Sequence, residues 1–297
     1  MKKRRGDRET RGHGDKPSPR VAVSRRPRVS TITLLTDFGN ADYFVGAVKG
    51  VILGLNPNAT IVDITHEIPP HDIEAGAFTL LAACTSFPVG TIHVAVVDPG
   101  VGSSRRAILV KTRDCFFVGP DNGIFSYVCE RSENLGHTPE LFQLTNTKYF
   151  REPVSATFHG RDLFSPVAAA LSLAVKPNEL GEAIPDIVRL PPLRPTTARD
   201  GRLMGRVIHI DRFGNCVTNI TRSDLTAQMI AAGATLRLKG KTVKSFRNYF
   251  GEPAIDKDKV FGIWGSAGFL EIAAANASAA KLLNAQRGDP VAVIIQK

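Results

Sequence analysis

The chain lacks any long hydrophobic run. No apolar stretch approaches the ~18 to 20 residues that a membrane-spanning helix needs, although 43% of the 297 residues are hydrophobic and 22% are charged. That balance is ordinary for a globular protein, and we expect no membrane-spanning segment. The length exceeds one average domain of ~100 to 200 residues, which allows one large domain or two modest ones.

Cysteine is scarce, and its spacing carries no metal or redox signature. The chain contains no C-x-x-C pair, and its cysteines lie at irregular intervals within apolar stretches. They are Cys84, Cys115, Cys129 and Cys216. We expect reduced structural thiols. Because the N-terminal segment also lacks the apolar core of a secretory signal, both features predict a cytoplasmic protein.

Positive charge is concentrated at one end of the chain. Residues 1–30 hold eleven Lys or Arg against three Asp or Glu, so they carry +8 of the net charge of +10. This segment has almost no large apolar residues, and we predict that it is disordered. A polyanion-binding arm is the functional alternative to an inert extension, so nucleic-acid contact stays open for this segment alone.

From residue 31 short β-branched runs alternate with amphipathic helical patterns. Strand-like runs at 31–35, 60–64 and 91–97 are separated by helical periodicity over 44–55 and 72–85. This order predicts an α/β unit with a mainly parallel sheet, flanking helices and right-handed crossovers. Ligands gather beyond the carboxyl ends of strands in such sheets.

The second half of the chain has a different pattern. Two more apolar runs, 107–111 and 115–118, and a helical pattern over 162–175 complete the first unit. Residues 185–201 then hold four prolines and no periodicity, which indicates an exposed linker. We therefore predict an α/β domain over 31–190 and a small β-rich domain over 191–297. The second domain has five strand-like runs and one helical candidate near 223–231.

Four polar clusters interrupt these patterns: T-D-F-G-N-A-D (36–42), D-P-G-V-G-S-S-R (98–105), F-H-G-R-D (158–162) and D-R-F-G-N (211–215). Each alone is typical of a turn or a helix cap. Asp37 and Asp98, however, both follow predicted strands, where ligands bind in open sheets. Their combination and order favour a functional interpretation.

Longer segments resemble the S-adenosyl-L-methionine hydroxide adenosyltransferases, which are related to the fluorinase and the chlorinase. The segments that carry this resemblance are LLTDFG, IVDITHEIPPHDIEAGAF, VAVVDPGVGSSRRAI, FVGPDNGIFS, TFHGRDLFSPVAA and IHIDRFGNCVTNI. It covers about residues 31–297. The family implies a larger α/β domain with a smaller β-barrel-like domain, and a homotrimer with sites between subunits. It also implies hydrolysis of S-adenosyl-L-methionine to adenosine and L-methionine, with no metal and no cofactor.

The resemblance assigns a catalytic triad of Asp98, Arg105 and His159. The halogenases carry a tyrosine where this chain has Asp98, and a carboxylate favours water over a halide anion as nucleophile. We expect Asp98 and His159 to share the base and orienting roles, and Arg105 to stabilise developing hydroxide character. Which of the two is the base stays open.

The resemblance also assigns the substrate-binding positions. They are Asp37, Asp42, Asp211, Phe213, Asn215, Ser266 and Asn276. Asp37 matches a carboxylate that takes both ribose hydroxyls, a natural task for a bidentate acceptor. Asp42 falls near the methionine amine, and Ser266 fits a contact to the methionine carboxylate. Phe213 offers a stacking face for adenine.

Two other enzyme classes remain as alternatives. In the first, Asp37, Asp98, His159 and Asp162 are ligands of a metal-dependent phosphoesterase, because carboxylates and imidazoles suit such ions. The sequence shows no close ligand pair of the H-x-E or D-x-D kind. The second is an S-adenosyl-L-methionine-dependent halogenase.

Overall fold

The computed structural model describes residues 31–252 and 259–295, so the basic segment 1–30 and its predicted disorder lie outside the described residues. The chain has a mixed α/β fold with two sheets. Elements that build the first sheet and its flanking helices come first in the chain. They are β1 (Thr31–Thr36), α1 (Phe44–Leu55), β2 (Thr60–Thr65), α2 (Ile73–Cys84), β3 (Ile92–Val96), β4 (Ala107–Lys111), β5 (Phe116–Pro120), α3 (Ser126–Asn134), β6 (Glu140–Leu144), a 3₁₀ turn (Thr147–Tyr149), a π-helical turn (Gly160–Phe164), α4 (Ser165–Ser172), α5 (Pro177–Leu180) and β7 (Gly181–Ala183).

Elements of the second sheet follow. They are β8 (Thr196–Thr197), β9 (Leu203–Ile210), β10 (Cys216–Thr221), α6 (Ala227–Ala231), β11 (Thr235–Leu238), β12 (Lys241–Val243), β13 (Phe246–Arg247), β14 (Val260–Trp264), β15 (Phe269–Ala274), α7 (Ala279–Leu283) and β16 (Pro290–Ile294).

The first sheet is mixed rather than mainly parallel. Its order is β2-β1-β3-β5-β4-β6-β7. Pairing is parallel among β2, β1, β3 and β5, as the alternating pattern predicts. The other three strands pair antiparallel. The reason is the short connection 112–115 between β4 and β5, because so few residues can only join antiparallel strands.

Helices cover both faces of this sheet. Along β1, Leu34 packs in one core with Ile52 of α1 and Ala168 of α4. Its neighbour Leu35 packs in a second core with Leu80 of α2. Because successive strand residues point to opposite faces, a continuous apolar run is what a strand buried on both sides requires.

The second sheet is almost wholly antiparallel and curls on itself. Its order is β12-β11-β16-β9-β10-β15-β14-β13, with β8 paired to β9. β12, near one edge, contacts β14, near the other. The sheet meets the first unit through a separate apolar cluster, in which Phe78 of α2 and Tyr127 of α3 pack against Ile208, Val217 and Phe269.

The predicted linker is mostly exposed, yet it is held against α3. The Val188 N–H donates to Asp121 Oδ1 at 2.8 Å, and the Leu190 N–H donates to Ser126 Oγ at 2.7 Å. Leu193 is buried. These bonds fix the path of the chain between the two sheets.

Two predicted helices differ in their bounds. The helix expected over 162–175 begins as the π-helical turn and ends as α4 at Ser172, since Ala174 adopts φ +66° and closes it. The helix expected near 223–231 is shortened to α6, because the Asp224 carboxylate accepts from the Thr221 N–H in a preceding turn.

The cysteines lie where the sequence predicts. All four cysteines are free and buried, so the prediction of reduced structural thiols is confirmed. Within the residues that the structure describes, no helix is long and apolar enough to cross a membrane.

Gly119 of β5 tests the packing of the first sheet. A Cβ there would lie 2.3 Å from the Ala95 carbonyl oxygen and 2.9 Å from Phe125 Cζ. We expect Gly119→Ala to lower the free energy of unfolding by about 1–3 kcal/mol through overpacking. At Gly46 of α1 a Cβ meets nothing within 4 Å, so Gly46→Ala should leave stability unchanged or raise it. Denaturant midpoints measure both, and equal effects would contradict this packing.

Candidate active site

Two adjacent parallel strands bring Asp37 and Asp98 to one edge of the first sheet. Thr36 at the end of β1 pairs with Val96 at the end of β3. Asp37 follows Thr36 directly, and Asp98 comes two residues after Val96. Neighbouring strands lie about 4.8 Å apart, so the loops that carry the two carboxylates start side by side.

Asp98, Arg105 and His159 form a connected group, which we call the Asp98 cluster. Arg105 Nε donates to Asp98 Oδ1 at 3.0 Å and to Oδ2 at 3.1 Å, and Arg105 Nη2 donates to Oδ2 at 2.5 Å. The same Nη2 lies 2.7 Å from His159 Nδ1. The Asp98 and Arg105 side chains are only 5% and 10% exposed. The structure therefore brings together all three residues of the predicted triad.

The conformation of the D-P-G-V-G loop places Arg105 beside His159. Gly102 has φ +78°, and a Cβ on it would lie 2.2 Å from the Ala156 carbonyl oxygen. Only glycine allows this close approach to the segment that precedes His159. Ser103 Oγ donates to the Gly100 carbonyl at 2.7 Å, which closes the turn before Arg105.

His159 sits at the start of the π-helical turn, and Asp162 anchors that turn. The Asp162 carboxylate is fully buried, accepts from the Ser155 N–H at 2.9 Å and pairs with Arg161 and Arg151. Burial opposes its ionisation, but hydrogen bonds from Arg161, Ser155 and Arg151 outweigh this and lower its pKa. Asp162 thus holds the segment before His159 onto the turn. Inserted π turns are frequent at functional sites.

The bond between Arg105 and His159 fixes the protonation state of the imidazole. A guanidinium has only donors, so Nδ1 of His159 must accept, and the neutral ring carries its proton on Nε2. Protonation of Nδ1 would break this bond. Burial, together with the nearby Arg105 charge, lowers the pKa of His159 below its usual 6.5, and Asp98 and Asp162 only partly offset this. At neutral pH the imidazole is therefore a neutral donor at Nε2.

Asp37 is held by a backbone group. The His71 N–H donates to Asp37 Oδ2 at 2.9 Å, and the other carboxylate oxygen has no bond to a described residue. Phe38 beside it packs edge-to-face on Phe158, one residue before His159. Asp37 and the Asp98 cluster thus share one neighbourhood. Asp42, by contrast, is exposed.

A second group of predicted residues surrounds a cavity of about 770 Å³ at one end of the second sheet, which we call the Phe213 cavity. Phe213, Asn215 and Asn276 line it. Asp211 organises the turn between β9 and β10, since its Oδ1 accepts from the N–H groups of Phe213 and Asn215. Phe213 itself is 78% exposed, so its ring face is free to stack.

Sequence reasoning missed Arg247 and Phe250, which line the same cavity. Arg247 is 8% exposed and its guanidinium lies 3.9 Å from the Phe261 ring centroid. Its Nε finds no acceptor among the described residues. A buried N–H without an acceptor is costly, which makes Arg247 a candidate ligand-binding residue. No local pattern signals this, because Arg247 lies in a short edge strand outside the polar clusters.

Ser266 lies apart from the Phe213 cavity. It precedes β15 and lines another cavity with Tyr127 and Arg194, whereas Asn276 follows β15. Six strand residues span about 20 Å. One ligand reaches both ends only if it runs along the strand, so the joint assignment of Ser266 and Asn276 stays a prediction.

The four residues of the phosphoesterase alternative do not form a ligand set. Asp98 is committed to Arg105, and Asp162 to Arg161 and Arg151. Among residues 31–252 and 259–295, no three His, Cys, Asp or Glu side chains are grouped as metal ligands.

Comparison with family models gives two matches that together span most of the chain. The N-terminal domain model of the SAM hydroxide adenosyltransferases matches residues 32–181. The C-terminal domain model of the same family matches residues 205–292.

Several similar proteins are named (R)-S-adenosyl-L-methionine hydrolase. The (R)-S-adenosyl-L-methionine hydrolase of Methanocaldococcus jannaschii is 39% identical over 277 residues, which cover 89% of this chain and 95% of the relative. That of Salinispora tropica is 36% identical, with 88% and 97% covered. A fluorinase of an Actinoplanes species is more distant, at 29% identity with 70% and 77% covered. An uncharacterised conserved protein from Thermotoga maritima has a similar structure, with a TM-score of 0.81 and 35% identity over 88% of this chain and 99% of that one.

The lowered pKa of His159 is directly measurable. In the folded protein its imidazole should titrate below 6.5, and Arg105→Met should raise that pKa by removing the nearby cation. Because the folded state binds fewer protons than the unfolded one between the two pKa values, this group destabilises the fold as pH falls through 6.5. NMR titration, with His159→Gln to assign the signal, tests this. A His159 pKa at or above 6.5 would contradict the arrangement.

Proposed function

Because the chain belongs to the SAM hydroxide adenosyltransferase family, we propose that it hydrolyses S-adenosyl-L-methionine to adenosine and L-methionine. Relatives named (R)-S-adenosyl-L-methionine hydrolase match it over almost their whole length. The observation that carries the proposal for this chain is the nearly buried Asp98 carboxylate, held by the Arg105 fork and positioned beside His159. A fixed carboxylate of this kind can orient and deprotonate one water molecule.

The leaving group of this reaction needs little stabilisation by the protein. The water oxygen forms a bond to C5′ of the substrate while the C5′–S bond breaks, and the bonding pair moves to sulfur. The positive sulfonium thereby becomes the neutral thioether of methionine, so no acid and no cofactor is required. The water loses one proton, which passes to a base and then to solvent. The protein has to place the water in line behind C5′ and exclude competing solvent.

We assign the base role to Asp98 rather than to His159. The Nδ1 lone pair of His159 is engaged by Arg105, and its Nε2 carries the ring proton. The imidazole therefore has no free lone pair for a proton. Asp98 Oδ2 accepts from both Nε and Nη2 of Arg105, whereas Oδ1 accepts from Nε alone and keeps a lone pair for a water molecule. His159 holds the guanidinium and offers an Nε2–H donor, and Arg105 stabilises charge as hydroxide character develops.

The Asp98 carboxylate disfavours the halogenase alternative. A halide nucleophile would have to approach C5′ beside the Asp98 carboxylate, where like charges repel in a site that is largely shielded from water. A water molecule meets no such barrier and gains a hydrogen bond there. Water is accordingly the nucleophile that this site favours.

For substrate binding we propose that Asp37 takes the ribose hydroxyls and that the Phe213 cavity takes adenine. Near the Asp98 cluster, Asp37 has one oxygen without a bond to any described residue. The cavity offers the exposed rings of Phe213 and Phe250, suited to a planar base, and Arg247, whose Nε has no acceptor among the described residues. The remaining assignments are Asp42 to the methionine amine, Ser266 to its carboxylate, and Asp211, Asn215 and Asn276 around the cavity.

We also propose that complete sites form between subunits of a homotrimer. Within the described part of the chain, no hydrogen bond or ion pair connects the Asp98 cluster with the Phe213 cavity. A neighbouring copy could supply the missing half, because cyclic assemblies join different surfaces of identical chains. The gap between the two family-model matches, 182–204, supports a domain boundary near residue 190. The four reduced thiols support a cytoplasmic location.

Isotopic labelling tests the reaction. With S-adenosyl-L-methionine in water enriched in oxygen-18, we expect adenosine that carries one heavy oxygen at C5′, together with unlabelled L-methionine. Asp98→Asn should lower kcat by about 10²–10⁴-fold, a typical loss for a missing base, with KM within about tenfold. Mass spectrometry of the products decides. Adenosine without label would refute attack of water on C5′. Undiminished turnover in Asp98→Asn would refute the role of Asp98.

Complementation tests the shared site. Asp98→Asn and Phe213→Ala should each be nearly inactive alone, since one lacks the base and the other the stacking ring. The two chains are then unfolded and refolded together in equal amounts. Random trimers should recover about a quarter of wild-type activity, because about one interface in four joins an intact Asp98 half to an intact Phe213 half. Recovery no greater than the sum of the separate variants would mean that both halves act within one subunit.

A further inference from the structure

The first turn of α2 is tied to the second sheet by two arginines. Arg287 donates to both Asp72 oxygens, with Nη2 2.8 Å from Oδ1, and Nη2 also lies 3.4 Å from Glu74 Oε2. Arg206 of β9 pairs with Glu74, which also accepts from the Tyr127 hydroxyl at 3.0 Å. Two-pronged pairing between a guanidinium and a carboxylate fixes orientation as well as distance.

Arg287 is itself held in place. It lies in the turn between α7 and β16, where the Gly288 N–H donates to the Val207 carbonyl at 2.8 Å. The Val207 N–H donates back to the Asp289 carbonyl at 2.9 Å. The guanidinium therefore projects from a turn that is locked onto the edge of β9, and its position follows that of the second sheet.

On the other side of the ion pair, Asp72 is connected to the Asp37 carboxylate through its neighbour His71. Asp72 caps α2, since its Oδ1 accepts from the Ala75 N–H at 3.0 Å. The preceding residue, His71, has φ +66°, and its N–H is the group that binds Asp37 Oδ2. A left-handed conformation is unfavourable for a non-glycine residue, so the surroundings must hold it.

We propose that Arg287 and Asp72 are positioning residues, which hold His71 in its left-handed conformation and thereby orient the Asp37 carboxylate toward the ribose hydroxyls. This inference rests on the proposed function, in which Asp37 binds the ribose. When the guanidinium is removed, the turn at His71 relaxes and the N–H turns away from Asp37. The Asp37 carboxylate then loses its fixed orientation, and the affinity for ligands that carry the ribose hydroxyls falls.

The affinities for two nucleosides distinguish a loss of Asp37 positioning from general damage to the fold. Calorimetry on the full chain compares adenosine with 2′,3′-dideoxyadenosine, which lacks both hydroxyls. In Arg287→Met we expect adenosine to bind about tenfold more weakly, the size of one hydrogen bond to a charged group, while dideoxyadenosine binding changes by less than about twofold. KM for S-adenosyl-L-methionine should rise with kcat nearly unchanged, because uniform binding is lost.

Two further variants sharpen the test. Arg202→Met removes an arginine that pairs with Asp200 two residues away, so it should change neither affinity. Adding His71→Gly to Arg287→Met should restore part of the adenosine affinity, since glycine adopts positive φ without strain.

Equal weakening of both nucleosides by Arg287→Met, or no weakening of either, overturns the positioning role. Failure of the proposed function has a different signature, in which the wild-type protein does not distinguish the two nucleosides or does not split S-adenosyl-L-methionine.

Discussion

Arg105 stands between an anion and an imidazole, and the chemistry of this site depends on that one guanidinium. Its Nη2 lies within hydrogen-bond distance of both Asp98 Oδ2 and His159 Nδ1. Because it can only donate, it keeps Asp98 as an acceptor and prevents His159 from taking a proton at Nδ1. A single cation thus sets the roles of both partners. Its own approach to His159 depends on Gly102, where any side chain would collide with Ala156.

Apolar periodicity and capping residues predicted the strands and helices whose bounds depend on neighbouring residues in the sequence. The first three strands and two helices occur close to their expected bounds, since apolar periodicity and caps such as Asp72 act within a few residues. The mixed character of the first sheet was missed because strand direction depends on the short 112–115 connection rather than on strand composition. The bounds of α4 were missed because a π-helical turn replaces its first turn. The buried Asp162 carboxylate stabilises that turn by accepting from the Ser155 N–H and Arg151, which precede the turn.

The site was predictable where it follows from topology and family resemblance. Asp37 and Asp98 lie at strand ends, where parallel sheets collect ligands, and the resemblance supplied Arg105 and His159. Pairs formed across long sequence separation could not be foreseen, as with Arg287 and Asp72, which are 215 residues apart. Arg247 could not be predicted either, because what distinguishes it is a buried Nε without an acceptor in the described part of the chain.

A crystal structure of the assembled protein with an S-adenosyl-L-methionine analogue whose sulfonium sulfur is replaced by carbon would show which group holds the attacking water. We expect an ordered water that hydrogen-bonds to Asp98 and lies about 3–3.5 Å from C5′, on the side opposite the replaced sulfur. The Arg105 fork should still be bound to Asp98. A C5′ atom far from Asp98, or a water held by His159 Nδ1 with Arg105 displaced, would exclude Asp98 as the base.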